Sequence, residues 1–110
     1  MARVQGENGY IKSYRSLLDW EWFTDGNTLR TWIYILHRAN YEPSRFRGYE
    51  IGRGEFIESM DTMAHNIGIT RNQLRTALKH LKSTGEIDTQ ITNLGTIVKV
   101  LKYAIYQDTD

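Results

Sequence analysis

Apolar side chains return every three or four residues in three stretches of this chain, and alternate with polar ones in shorter runs between and after them. The first helical stretch, "DGNTLRTWIYILHRAN", places Leu29, Trp32, Ile33, Leu36 and His37 at helical spacing, with Asn27 or Thr28 expected as its cap. In the second, "MDTMAHNI", Met60, Met63, Ala64 and Ile67 share one face, Ser59 is available as the cap and Gly68 as the stop. A turn of Gly68, Ile69 and Thr70 then leads into the third, where Leu74, Ala77, Leu78 and Leu81 form a single stripe.

This third helix is the most completely specified element. Thr70 and Gln73 have the spacing of a capping box, in which hydroxyl and amide side chains reciprocally satisfy free backbone amides at the helix start. Gly85 is placed to end the helix in a left-handed conformation. Opposite the leucines lie Asn72, Thr76, Lys79 and Ser83, flanked by Arg75, Lys82, Gln73 and His80, and between Arg71 and Lys82 there are four cations and no acid.

The rest of the chain reads as connections and strands. "NYEPSRFRG" is expected to be a loop, because the residue before Pro43 is biased away from helical geometry. Phe56 alternates with polar neighbours in "YEIGRGEFIES", which predicts a short strand, and "EIDTQIT" and "TIVKVLKY" predict a hairpin turning through Thr92, Asn93, Leu94 and Gly95. Helix, strand, helix, short turn, helix and hairpin is the order of a winged helix-turn-helix. The expected fold class is therefore mainly α with a small β-hairpin: one domain over 1–110, with an aromatic N-terminal segment at 9–24, a helix-turn-helix at 59–85 and a wing hairpin at 86–102.

Composition narrows what such a domain can do. With 110 residues, 40% hydrophobic and 25% charged, the chain has the make-up of one globular domain. It has no apolar run near the roughly 20 residues that span a bilayer. The absence of cysteine and of an apolar leader in "MARVQGENGY" points to the cytoplasm. The net charge is only +1, so affinity for nucleic acid must come from how charge is distributed.

Candidate chemistry is sparse. His37, His65 and His80 are scattered and lack cysteine partners, so no metal site, cofactor or catalytic set is expected. "GRGEFI" lacks the lysine and third glycine of nucleotide-binding loops and reads as a tight turn before a strand. The basic helix is the working surface. Its first residues, Arg71, Asn72, Gln73 and Arg75, are of the types that read base edges in the major groove of double-stranded DNA, with Thr76 beside them, while Lys79 and Lys82 suit phosphates. The wing tip carries no cation.

Eleven of the thirteen aromatics lie between Tyr10 and Phe56. Trp20, Trp22, Phe23, Trp32 and Tyr34 are more than one face of a small helical core needs, which makes Trp20, Trp22 and Phe23 candidates for self-association as a dimer; the competing reading is that they fill the core.

From Gly9 to Gln107 the chain resembles the N-terminal domain of bacteriophage replisome organiser proteins, related to the winged-helix domain of DnaD-like primosome proteins. The stretches that carry the likeness are "GYIKSYRSLLDWEWFTDGNTLRTW", "RGYEIGRGEFIES", "IGITRNQLRTALKHLKSTGEI", "TN" and "TIVKVLKYAIYQ". The resemblance implies binding to replication-origin DNA through the helix with Arg71, Asn72, Gln73, Arg75, Thr76 and Lys79, with recruitment of replisome proteins and self-association through the aromatic segment. Two positions depart from the family pattern: Gly26, where proline is common, and Leu94-Gly95, where a wing often has a basic or aromatic residue. A transcriptional regulator with the same binding mode, and a protein-interaction module of a replisome, are the alternatives.

Overall fold

A computed structural model of the chain describes residues 9–107, so the reading of the first residues as leader-free and the outermost ends of the single domain lie outside it. Among the described residues the elements run from a 3₁₀ turn, Arg15–Asp19, through α1 (Gly26–Arg38), β1 (Ser44–Phe46), β2 (Tyr49–Ile51), β3 (Glu55–Glu58), α2 (Met60–Ile67), α3 (Arg71–Ser83), β4 (Ile87–Thr92) and β5 (Gly95–Val100) to α4 (Tyr103–Gln107).

The expected mainly α class with one small hairpin is overturned: the fold is mixed α/β, and the described residues are 44% helical and 22% strand, with five strands in two antiparallel sheets among them. Two features make the difference. The strand around Phe56 does not stand alone but pairs with β5, giving a three-stranded sheet in the order β3-β5-β4. Part of the expected loop "NYEPSRFRG" is a strand, Ser44–Phe46, which pairs with Tyr49–Ile51 in a second hairpin. Proline excludes helix at its predecessor but says nothing about the residues that follow it, and an exposed three-residue strand leaves no apolar alternation to read.

The helices begin and end where their caps dictate. The N-cap of α1 is Asp25, not Asn27 or Thr28, with its carboxylate accepting from the Thr28 amide. Ser59 caps α2, and Gly68 ends it in the left-handed region at φ 90°. Both halves of the Thr70–Gln73 capping box are formed, at 2.9 and 3.1 Å. At the far end of α3, Gly85 is left-handed, and the Gly85 and Glu86 amides donate back to the Lys82 and Leu81 carbonyls.

The core lies between the three longer helices and one face of the three-stranded sheet. Ile35, Met63, Leu74, Leu81 and Val98 are fully buried, and Trp32, Phe56, Leu78, Ile87 and Val100 complete the cluster. The tight turn before β3 is held close to α4: a Cβ on Gly54 would lie 2.8 Å from that of Tyr103. Tyr34 ties the front of the domain together, donating to Glu58 at 2.6 Å and accepting from Asn66 at 3.0 Å, while Arg38 pairs with Glu58 at 3.3 Å.

Candidate nucleic-acid interface

The basic helix owes its orientation to what its other face touches. Leu74, Ala77, Leu78 and Leu81 are buried, so Asn72, Arg75, Thr76, Lys79, Lys82 and Ser83 are turned to solvent. The turn that aims it is braced from α1, where the Arg30 guanidinium donates to the Ile67 carbonyl at 2.6 Å. Its C-terminal half is clamped by His80, which lies 2.9 Å from the Thr28 hydroxyl and 3.3 Å from the Asp25 carboxylate through the same ring nitrogen. The indole of Trp22 stacks on the His80 ring at 4.2 Å and donates to the Thr84 hydroxyl at 3.0 Å. His80, expected to flank the basic face, is thus a half-buried link between α1 and α3.

The seven candidate DNA-binding residues share one exposed helix, but they are not equally free. Arg71 is paired with Asp61 of α2 at 3.0 Å. The Gln73 side-chain carbonyl is engaged in the capping box, leaving its amide nitrogen for any other contact. Arg75 donates to the Asn72 side-chain carbonyl, which presents guanidinium and amide as one unit. Thr76 borders a shallow notch of 270 Å³ shared with Asp25, Asn27, Thr28, Asn72 and Gln73. Lys79 and Lys82 form no ion pair with the described residues and stand on the outer face. From Arg71 to Lys82 the helix rises about 16 Å, and its width of about 10–12 Å matches a major groove about 12 Å wide.

The hairpin contributes little positive charge. Lys99 stands directly between Glu55 on β3 and Asp88 on β4, and the turn bears Asn93 and Leu94. The Asn93 side chain instead accepts from the hydroxyl of Tyr49, at 3.0 Å, so the second hairpin reaches the turn of the first.

Of the two readings of the aromatic segment, self-association and core filling, the ring contacts within the chain bear on the second. Trp20 packs on Trp32 with ring centroids 5.8 Å apart, Trp22 lies on His80, and both are half-buried against the core; Phe23 is half-buried as well. Tyr106 closes the cluster, edge-on to Trp32 and Tyr14, and burial holds its phenol pKa above 10, with help from Glu86. Beside these rings is a largely apolar groove of 530 Å³ lined by Ile11, Tyr14, Leu17, Trp20, Trp32 and Ile33 among others, and Leu18, next to Leu17 in the chain, is 65% exposed.

Among the described residues no cluster of histidine and acidic side chains could hold a metal ion, and no helix is long and apolar enough to cross a membrane. In comparisons with known proteins the chain matches no family model, no curated protein and no solved structure.

Proposed function

We propose that this protein binds double-stranded DNA through the exposed face of α3, as a non-enzymatic cytoplasmic domain of the kind that opens phage-type DNA replication. The observation that carries the reading is the pairing of a buried leucine stripe with an outer face on which Arg75, Lys79 and Lys82 form no ion pair with the described residues. A rigidly held basic helix of groove width can place Arg75 and Asn72 at base edges while the lysines meet phosphates. The replication role rests on the resemblance of the sequence to replisome organisers, and a transcriptional regulator would use the same face.

Fluorescence anisotropy of a labelled random-sequence duplex, measured over a range of salt, tests the reading. Affinity is expected to fall steeply with salt, and Lys79→Ala is expected to lower the slope by about one, as loss of one phosphate contact requires. Arg75→Ala weakens binding and flattens sequence preference. Absence of binding at low salt would refute the proposal.

Self-association is a second proposal, favoured by the apolar groove and by the exposure of Leu18, which follows the groove residue Leu17 in the chain. Leu18→Glu should convert a dimer to a monomer in sedimentation; a wild type monomeric at high concentration would end it.

A further inference from the structure

The hairpin β1–β2 turns through Arg47 and Gly48, both with positive φ, at 49° and 92°. Two-residue turns of this kind favour asparagine or aspartate before glycine, because only short polar side chains and glycine tolerate the left-handed region well. Arg47 is the one non-glycine residue in that region among the described residues. An arginine thus stands at a position where it opposes the turn, and strain of this kind points to a use for the side chain.

The surroundings of Arg47 suggest what that use is. Its guanidinium lies over the Phe46 ring, 5.4 Å from the centroid, and Phe46 is itself exposed. Stacking on an aromatic ring steadies a guanidinium, and a guanidinium so held has the fork of donors that matches a phosphate. A relay of contacts links the hairpin to the basic helix. Arg71 at the start of α3 reaches Asp61 in the first turn of α2. The β3–α2 junction at Glu58 and Ser59 packs on Gly95, where an added Cβ would come within 3.1 Å of the Glu58 carbonyl. Gly95 closes the turn that carries Asn93, and Asn93 is held by Tyr49 of β2.

Three acids along this rim are met by arginines: Asp61 by Arg71, Glu58 by Arg38 and Glu50 by Arg45. At its two ends stand cations that form no ion pair with the described residues, Arg47 at one and Arg75, Lys79 and Lys82 at the other. We infer that the β1–β2 hairpin is a second DNA contact, in which Arg47, steadied on Phe46, binds the phosphate backbone of the same duplex beside the groove entered by α3. This inference rests on the DNA-binding reading of α3.

The test uses Arg47→Asn, which suits the left-handed turn better than arginine and so removes the charge without endangering the fold. Thermal unfolding should show it at least as stable as the wild type, while its salt slope for a random-sequence duplex falls by about one. Arg47→Lys, which keeps the charge, should restore the slope. If Arg47→Asn binds with wild-type affinity and slope while Arg75→Ala is weakened, the hairpin is not a contact and the α3 reading stands. If the wild type fails to bind the duplex at low salt, both fall.

Discussion

Helix α3 and the aromatic N-terminal segment are both rich in signal, yet one was readable from the sequence and the other was not. In α3 every deciding interaction is local. The cap and its partner are three residues apart, the leucine stripe repeats within the helix, and Gly85 ends it, so start, stop, buried face and exposed face all follow from neighbouring residues. In the aromatic segment the partners are distant. Trp22 bonds to a hydroxyl 62 residues away and Tyr14 to a carbonyl 91 residues away. A surplus of aromatics announces burial, but the sequence does not say whether the burying surface belongs to the same chain or to another.

Three substitutions sharpen that contrast. The largest expected effect is at Trp22: removing a half-buried indole that stacks on His80 and bonds Thr84 should destabilise the fold by about 2 kcal/mol. Chemical denaturation at several protein concentrations checks it. A loss independent of concentration marks an intramolecular partner, whereas a loss confined to high concentration would mean that Trp22 serves a dimer. Next, Thr70→Ala removes a local determinant of α3 and should cost about 1 kcal/mol, with protection lost from amide exchange over the first turn of that helix and nowhere else. Loss spread evenly over the domain would show that the cap is not a local device.

Tyr34→Phe has the smallest effect at neutral pH, at most about 1 kcal/mol for the bonds to Glu58 and Asn66. Its interest lies in alkali. Burial, then the Glu58 carboxylate, raises the Tyr34 pKa above its ordinary value of 10.0. The folded state thus holds the phenolic proton more tightly than the unfolded chain, and the stability this confers is complete below pH 10 and lost as pH rises through the folded value. The wild type should lose stability above pH 10 more steeply than Tyr34→Phe; parallel curves would remove Tyr34 from that limb.

The same division runs through the rest of the molecule. Caps at Ser59 and Thr70, the left-handed glycines 68 and 85, and the β4–β5 hairpin were legible because each is a local pattern. The mixed α/β class was not, because the pairing of β3 with β5 joins residues about forty positions apart and the β1–β2 hairpin carries little apolar alternation. At the candidate site the exposed basic face was legible. The pairing of Arg71 with Asp61, the engagement of Gln73 in its own cap, and the His80 clamp depend on other elements or on side-chain geometry, and so the seven candidates could not be ranked. Arg47 was hidden by its place in an expected loop, because arginine before Gly48 is not one of the residue pairs that announce a two-residue hairpin turn.

The most direct test of the account is a map of amide chemical-shift changes on titrating the protein with a short duplex at low salt. The account predicts the largest changes over residues 71–83. Changes centred instead on residues 14–23 and 101–106, beside the apolar groove, or none at saturating duplex, would contradict it.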